Sequence, residues 1–160
     1  MFRRLVAIGL LLTLLVGPAA ACGGGSAERI EVRIGGLVIT AELARTAGER
    51  TKGLSGRPSL PEDAGMLFVF PSEQQPTFWM KDMRFPLDFV WISADHHVVA
   101  VTANVPPPAP GTPDGALPEY SPDRPVLYAL EVNGGVTARS GVLAGDLVTF
   151  TPDVPTEGVR

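Results

Sequence analysis

The sequence predicts a mainly β protein, an antiparallel β-sandwich or partly closed β-barrel of about eight short strands with one short helix. Three observations carry this. Apolar residues recur with a period of two in short runs, the repeat of a half-buried strand. Glycine, proline and asparagine break those runs at close intervals, as turns between strands do. Nothing in the chain shows the alternation of strand and long amphipathic helix that builds a parallel sheet.

The elements follow in order. Ile30, Val32 and Ile34 alternate with Glu31 and Arg33. Gly35-Gly36 then separates them from Leu37, Ile39, Ala41 and Leu43, which is a two-residue hairpin signal. Thr46 followed by Glu49 three residues later has the form of a capping box, so a short helix is expected through about Leu54, ended by Gly56 and Pro58. Met66 to Phe70 is wholly apolar between Gly65 and Pro71 and reads as a strand buried on both faces. Thr77 to Lys81 and Leu87 to Ile92 are two further strands, each preceded by proline. Ala94 to His97 turns the chain into a strand over Val98 to Val105. Eight prolines between Pro106 and Pro125 then disfavour both helix and ladder pairing, leaving a long stiff surface loop. Val126 to Val132 alternates again, Asn133-Gly134-Gly135 makes a turn, and Leu147 to Phe150 closes the domain.

The domain is expected over residues 30–151, followed by a loose tail over 152–160. Before it stands a leader. Arg3 and Arg4 supply a cationic start, Leu5 to Val16 form a 12-residue apolar core, and Gly17 to Ala21 are small or helix-breaking. That is the layout of an export signal over residues 1–21, and its core is too short to span a bilayer stably. Cys22 is the only cysteine, so no disulfide forms within the chain. Its position at the cleavage junction points to lipidation, with residues 22–29, rich in glycine, as a flexible tether. Plain secretion with an unpaired thiol is the alternative, because Ala19 stands where a lipobox prefers a larger aliphatic residue. The expected address is the outer face of the cytoplasmic membrane or the periplasm.

Loss of residues 1–21 leaves 139 of the 160 residues, with 11 of the 13 basic and all 17 acidic side chains, a net charge of −6. A chain of this size buries a substantial core without disulfides. Its acidic balance, with no cluster of Lys and Arg, disfavours a dedicated nucleic-acid binder.

Gly65-Met66-Leu67-Phe68, Phe78-Trp79-Met80-Lys81-Asp82 and Pro86-Leu87-Asp88 stand in one order with Arg50, Gly53-Leu54, Arg57 and Leu60-Pro61 before or among them. Tyr120-Ser121, Leu130-Glu131 and Gly145-Asp146 follow. In these motifs the chain resembles the uncharacterised domain of unknown function 192 family, over most of its mature length. The resemblance implies a compact, mostly β, frequently exported domain and brings no agreed activity. Ser55 stands where the family pattern usually has methionine, and Asp82-Met83 where it has Asn-Thr.

Several residues are candidates for chemistry. Strand alternation puts Trp79 and Lys81 on one face, where an indole beside an ammonium suits a sugar ring or an anionic group, or is simply a core tryptophan with a snorkelling lysine. Asp82, Asp88 and Glu131 are candidates for acid and base, while Arg50 or Arg57 suits a carboxylate or phosphate; internal ion pairing is the plainer role. His96 and His97, with Met66, Met80 and Met83, raise a soft-metal (copper) carrier, although the spacing matches no recognised ligand pattern. Ser121 needs a base that the sequence does not place, and Gly53-Leu54-Ser55-Gly56 lacks the spacing of a nucleophile elbow.

The reading is therefore a lipid-anchored binding or accessory module with no cofactor. Its ligand candidates are Arg57, Trp79, Lys81, Asp82, Asp88 and Glu131, beside the loop at Pro106 to Pro118. An envelope glycan, a small anion or another envelope protein is the expected partner, apart from the membrane itself through lipid on Cys22. A small carboxylate-dependent hydrolase of the envelope is the alternative, tested by whether carboxylates converge in one cleft.

Overall fold

A computed structural model describes residues 28–154. The expected leader (1–21), Cys22, most of the tether and residues 155–160 lie outside the described residues. Among the described residues nine strands form two sheets: β1 (Arg29–Ile34), β2 (Leu37–Ala44), β3 (Ala64–Gln74), β4 (Phe78–Trp79), β5 (Leu87–Ile92), β6 (Val98–Val105), β7 (Glu119–Tyr120), β8 (Val126–Asn133) and β9 (Val148–Thr151). Helices α1 (Ala47–Lys52) and α2 (Val136–Ser140) are both short. The large sheet runs β6-β5-β8-β3-β2-β1-β9, and β4 pairs with β7 in a two-stranded ribbon.

The expected antiparallel sandwich is corrected here: the large sheet is mixed. β2 and β3 are parallel, Ala41 opposite Gly65 and Leu43 opposite Leu67, while every other neighbouring pair is antiparallel. Parallel neighbours need a long crossover, and the segment carrying α1 supplies it. With only six residues, α1 is too short to display the rhythm that announces a parallel unit. It begins as expected, on a reciprocal capping box of Thr46 and Glu49, and ends at Lys52, two residues short of Leu54, with Gly53 as its cap.

Two further differences have local causes. β3 continues through Pro71 because its pairing with β8 shifts register between Val69 and Gln74, where a missing N–H costs no ladder bond. The proline-rich segment does carry pairing: it holds a 3-10 turn at Asp114–Ala116 and β7. At the chain's end Val154, within the expected tail, is buried against the core.

Central strands are covered on both sides. Leu67, Val90, Tyr128 and Leu130 face a core closed by β1, β2, β9 and α2, whereas Phe68, Phe89, Trp91 and Ala129 face a second core. Over that second core lie the α1 segment and the β4–β7 ribbon. Phe78 fastens the ribbon, its ring meeting Phe68 at 4.8 Å, Trp91 at 5.1 Å and Phe89 at 5.4 Å. Because side chains alternate along a strand, Trp79 turns away from this cluster and stays 46% exposed.

Candidate functional site

Between α1 and β4, above β3 and β8, lies an open cavity of about 440 Å³. Leu54, Phe68, Phe70, Phe78 and Met83 make its apolar wall, and Trp79, Thr77, Thr51 and Lys52 stand around it. Gly53 ends α1 at φ 47, and a side chain there would meet the Phe68 ring at 3.3 Å. Glycine thus lets the helix end lie close over the aromatic wall.

Beside Lys52, two ionisable side chains of opposite kind reach this cavity, Arg50 and Glu131. Arg50 donates to the Val69 carbonyl at 3.0 Å and to the Arg45 carbonyl, and its guanidinium lies 5.9 Å from the centre of the Phe70 ring. Among the described residues it forms no ion pair. Glu131 on β8 is only 6% exposed, between Met66 of β3 and Phe89 of β5. No side chain or backbone group among the described residues donates to its carboxyl. Burial pushes it up to about 8, and the charge of Arg57 opposes that shift. At neutral pH Glu131 is therefore a neutral carboxylic acid, able to donate as well as accept.

The expected partners of Glu131 go elsewhere. Arg57 grips Glu42 with two hydrogen bonds, 3.0 and 2.7 Å, and holds that carboxyl below the usual range. It lines a neighbouring depression with Arg45 and Met66, not the cavity of Trp79. Asp88 is fully buried on the other face of the sheet from Glu131, since its neighbour Phe89 is the residue opposite Glu131. Its carboxylate accepts from Asn104 N at 2.6 Å, Gly135 N at 2.9 Å, Thr137 N at 2.9 Å and Thr137 Oγ1 at 2.6 Å. That is a structural clamp joining β5, β6 and the start of α2. Asp82 sits in a turn at φ 57, exposed beside the proline-rich segment. Asp82, Asp88 and Glu131 thus occupy three separate environments, and the carboxylate pair required by a hydrolase is not assembled from them.

Trp79 and Lys81 do meet, the Lys81 Nζ lying 5.5 Å from the centre of the indole. Asp114 pairs with that ammonium and raises its pKa, so Lys81 is already neutralised from the proline-rich segment. The expected platform is therefore divided: Trp79 lines the cavity, and Lys81, paired with Asp114, lines a separate depression beside the proline-rich segment. Ser121 Oγ lies 3.2 Å from Thr77 Oγ1. The components of the metal reading also separate. Met66, Met80 and Met83 belong to the core beneath the cavity, whereas His96 packs on Tyr128 and Phe150 across the sheet. Among the described residues no three His, Cys, Asp or Glu side chains gather as a metal group.

The aromatic wall residues are not singled out in the sequence, because Phe68, Phe70 and Phe78 carry the signature of core positions, and Met83 is read there only as a candidate metal ligand. A carboxylate inside an otherwise apolar strand, Leu130-Glu131-Val132, was the one local sign.

The model of a family described as DUF192, Uncharacterized ACR, matches residues 30–150. No curated protein matches the chain. Two solved structures are similar over nearly their whole length. One, described as a "putative transcription regulator" from Sinorhizobium meliloti 1021, is 30% identical with a TM-score of 0.71, covering 81% of this chain and 98% of that one. The other, a protein of unknown function from Novosphingobium aromaticivorans DSM 12444, is 32% identical with a TM-score of 0.69, covering 88% of this chain and 99% of that one.

Proposed function

The chain belongs to the DUF192 family, and from that premise we propose that it is a small-ligand binding module working outside the cytoplasm, tethered by lipid on Cys22. The observation that carries the binding role is the cavity between α1 and β4: about 440 Å³, walled by aromatic rings, with the cations of Arg50 and Lys52 and the buried carboxyl of Glu131 among its lining residues. Apolar walls with a few fixed polar groups are the general form of a small-molecule site. The export role rests on the leader at residues 1–21 and on the placement of Cys22 directly behind it.

A regulator role like that named for the Sinorhizobium protein finds no support in the charge of this chain, which is −6 after loss of the leader and clusters no basic residues. Binding without reaction is favoured because, among the described residues, Glu131 carries the only carboxyl lining the cavity.

Two measurements test the reading. Intact mass of protein taken from membranes is expected to show loss of 21 residues and gain of acyl groups, and Cys22→Ser is expected to release the protein from the membrane fraction. A thermal-shift screen of the mature chain against small molecules is expected to find compounds whose effect is lost in Trp79→Ala. An unprocessed leader rejects the address; a screen with no Trp79-dependent compound rejects the binding role.

A further inference from the structure

Resting on the reading of Cys22 as a lipid anchor, we propose that the face formed by α1 and β4 lies against a lipid surface, with Trp79 at the level of the headgroups. The anchor sets the geometry. Residues 23–27 separate Cys22 from Glu28, and a chain extends by at most about 3.6 Å per residue, so the start of the domain stands no more than about 22 Å from the anchored residue. The domain, residues 28–154, is about 35 Å across when packed as a compact chain. A body wider than its tether turns the side near Glu28 to the bilayer.

Helix α1 puts the cavity on that side. Its Gly48 and Glu49 line the depression that also holds Glu28, its Arg50 and Thr51 line the cavity, and Lys52 lines both. One helix, about 10–12 Å wide, therefore separates the end of the tether from the cavity. Trp79 lines that cavity and is 46% exposed. An indole joins an apolar ring to an N–H donor, the combination that settles at a membrane–water interface. Leu143 and Leu147 are more exposed, at 68% and 57%, but belong to the other pole. Leu147 precedes Val148, which pairs with Ile34, and β1 runs about 17 Å from there to Arg29 beside Glu28. Leu143 joins the same turn, its N–H donating to Asp146 Oδ2 at 2.8 Å.

The charges of this face fit the same placement. Arg50, Lys52 and Arg84 form no ion pair among the described residues, and Lys81 is matched by Asp114. Asp82 and Glu119 are exposed acids beside them, Glu119 directly opposite Trp79 in the ribbon. In the adjoining depression Arg45 and Arg57 are engaged by Glu28 and Glu42, and Glu49 caps α1. These groups nearly cancel, on a mature chain that carries −6. The α1–β4 face therefore meets anionic headgroups without the repulsion that the net charge of the chain implies, and the hold comes from the indole and the anchor.

The test is tryptophan fluorescence of the acylated mature protein on phosphatidylethanolamine–phosphatidylglycerol vesicles whose acyl chains carry bromine, a contact quencher, with intact mass reporting the acyl group. Trp79 and Trp91 are the only tryptophans in the sequence, and Trp91 is fully buried, so quenching is expected to come from Trp79. Trp79→Phe, at an exposed position that leaves the fold intact, is expected to abolish it. A probe at the far pole, Leu147→Trp in the Trp79→Phe background, is expected to stay unquenched. Quenching that persists in Trp79→Phe, that reaches Leu147→Trp as strongly as Trp79, or that is absent from the acylated protein overturns this assignment and leaves the address standing. A Cys22 without lipid rejects the address and this proposal with it.

Discussion

Glu42 and Glu131 stand in one row across the sheet, with only Met66 between them, yet Arg57 closes two hydrogen bonds on Glu42 and none on Glu131. One guanidinium thus leaves two nearby carboxyls in opposite states. Its contact holds Glu42 ionised, and its distance leaves Glu131 governed by burial.

The pH dependence of stability follows from this. Glu131 titrates near 4.5 when unfolded and near 8 when folded, so between those values the folded chain binds more protons and stability falls as pH rises. The expected slope from this group is about 1.4 kcal/mol per pH unit, levelling below 4.5 and above 8. Urea unfolding at pH 5, 6, 7 and 8 measures it, and Glu131→Gln is expected to remove that part of the slope.

Arg57→Ala removes the positive charge that opposes the shift of Glu131, so the Glu131 pKa is expected to rise further. Carbon-detected NMR titration of the carboxyl reads this directly. The same change frees Glu42, whose pKa is expected to move up toward its ordinary value, at a stability cost of about 1 kcal/mol for a partly exposed bidentate pair.

Asp88→Ala is expected to destabilise the domain by about 3 kcal/mol, because it strands the two buried donors of Thr137 and the part-buried N–H groups of Asn104 and Gly135 at once. Chemical denaturation gives the magnitude. Amide exchange is expected to accelerate first at Gly135 and Thr137, where α2 begins.

Trp79→Ala is expected to change stability by only about 0.5 kcal/mol, as for an exposed side chain. The other tryptophan, Trp91, is fully buried and donates from Nε1 to Thr102 Oγ1 at 2.9 Å. Fluorescence of the variant is therefore expected to shift to the blue and to resist acrylamide quenching.

The sequence by itself determined the local order. Period-two alternation located β1, β2 and β8, Pro86 and the turn at Ala94 to His97 bounded β5 and β6, and Thr46 with Glu49 started α1, because these signals involve residues a few positions apart. The candidate site was legible only in part: Glu131 and Trp79 stood out, while Phe68, Phe70 and Phe78 looked like core and Asp88 looked like a candidate acid. Tertiary structure alone decided the parallel pairing of β2 with β3, since strand direction depends on a crossover and not on side-chain period. It also decided α2, whose first residues follow Gly134-Gly135 with no local capping side chain and are held instead by Asp88 from β5. The same holds for the site: a carboxyl's ionisation depends on which distant cation reaches it, and only folding sends Arg57 to Glu42 and leaves Glu131 unpaired.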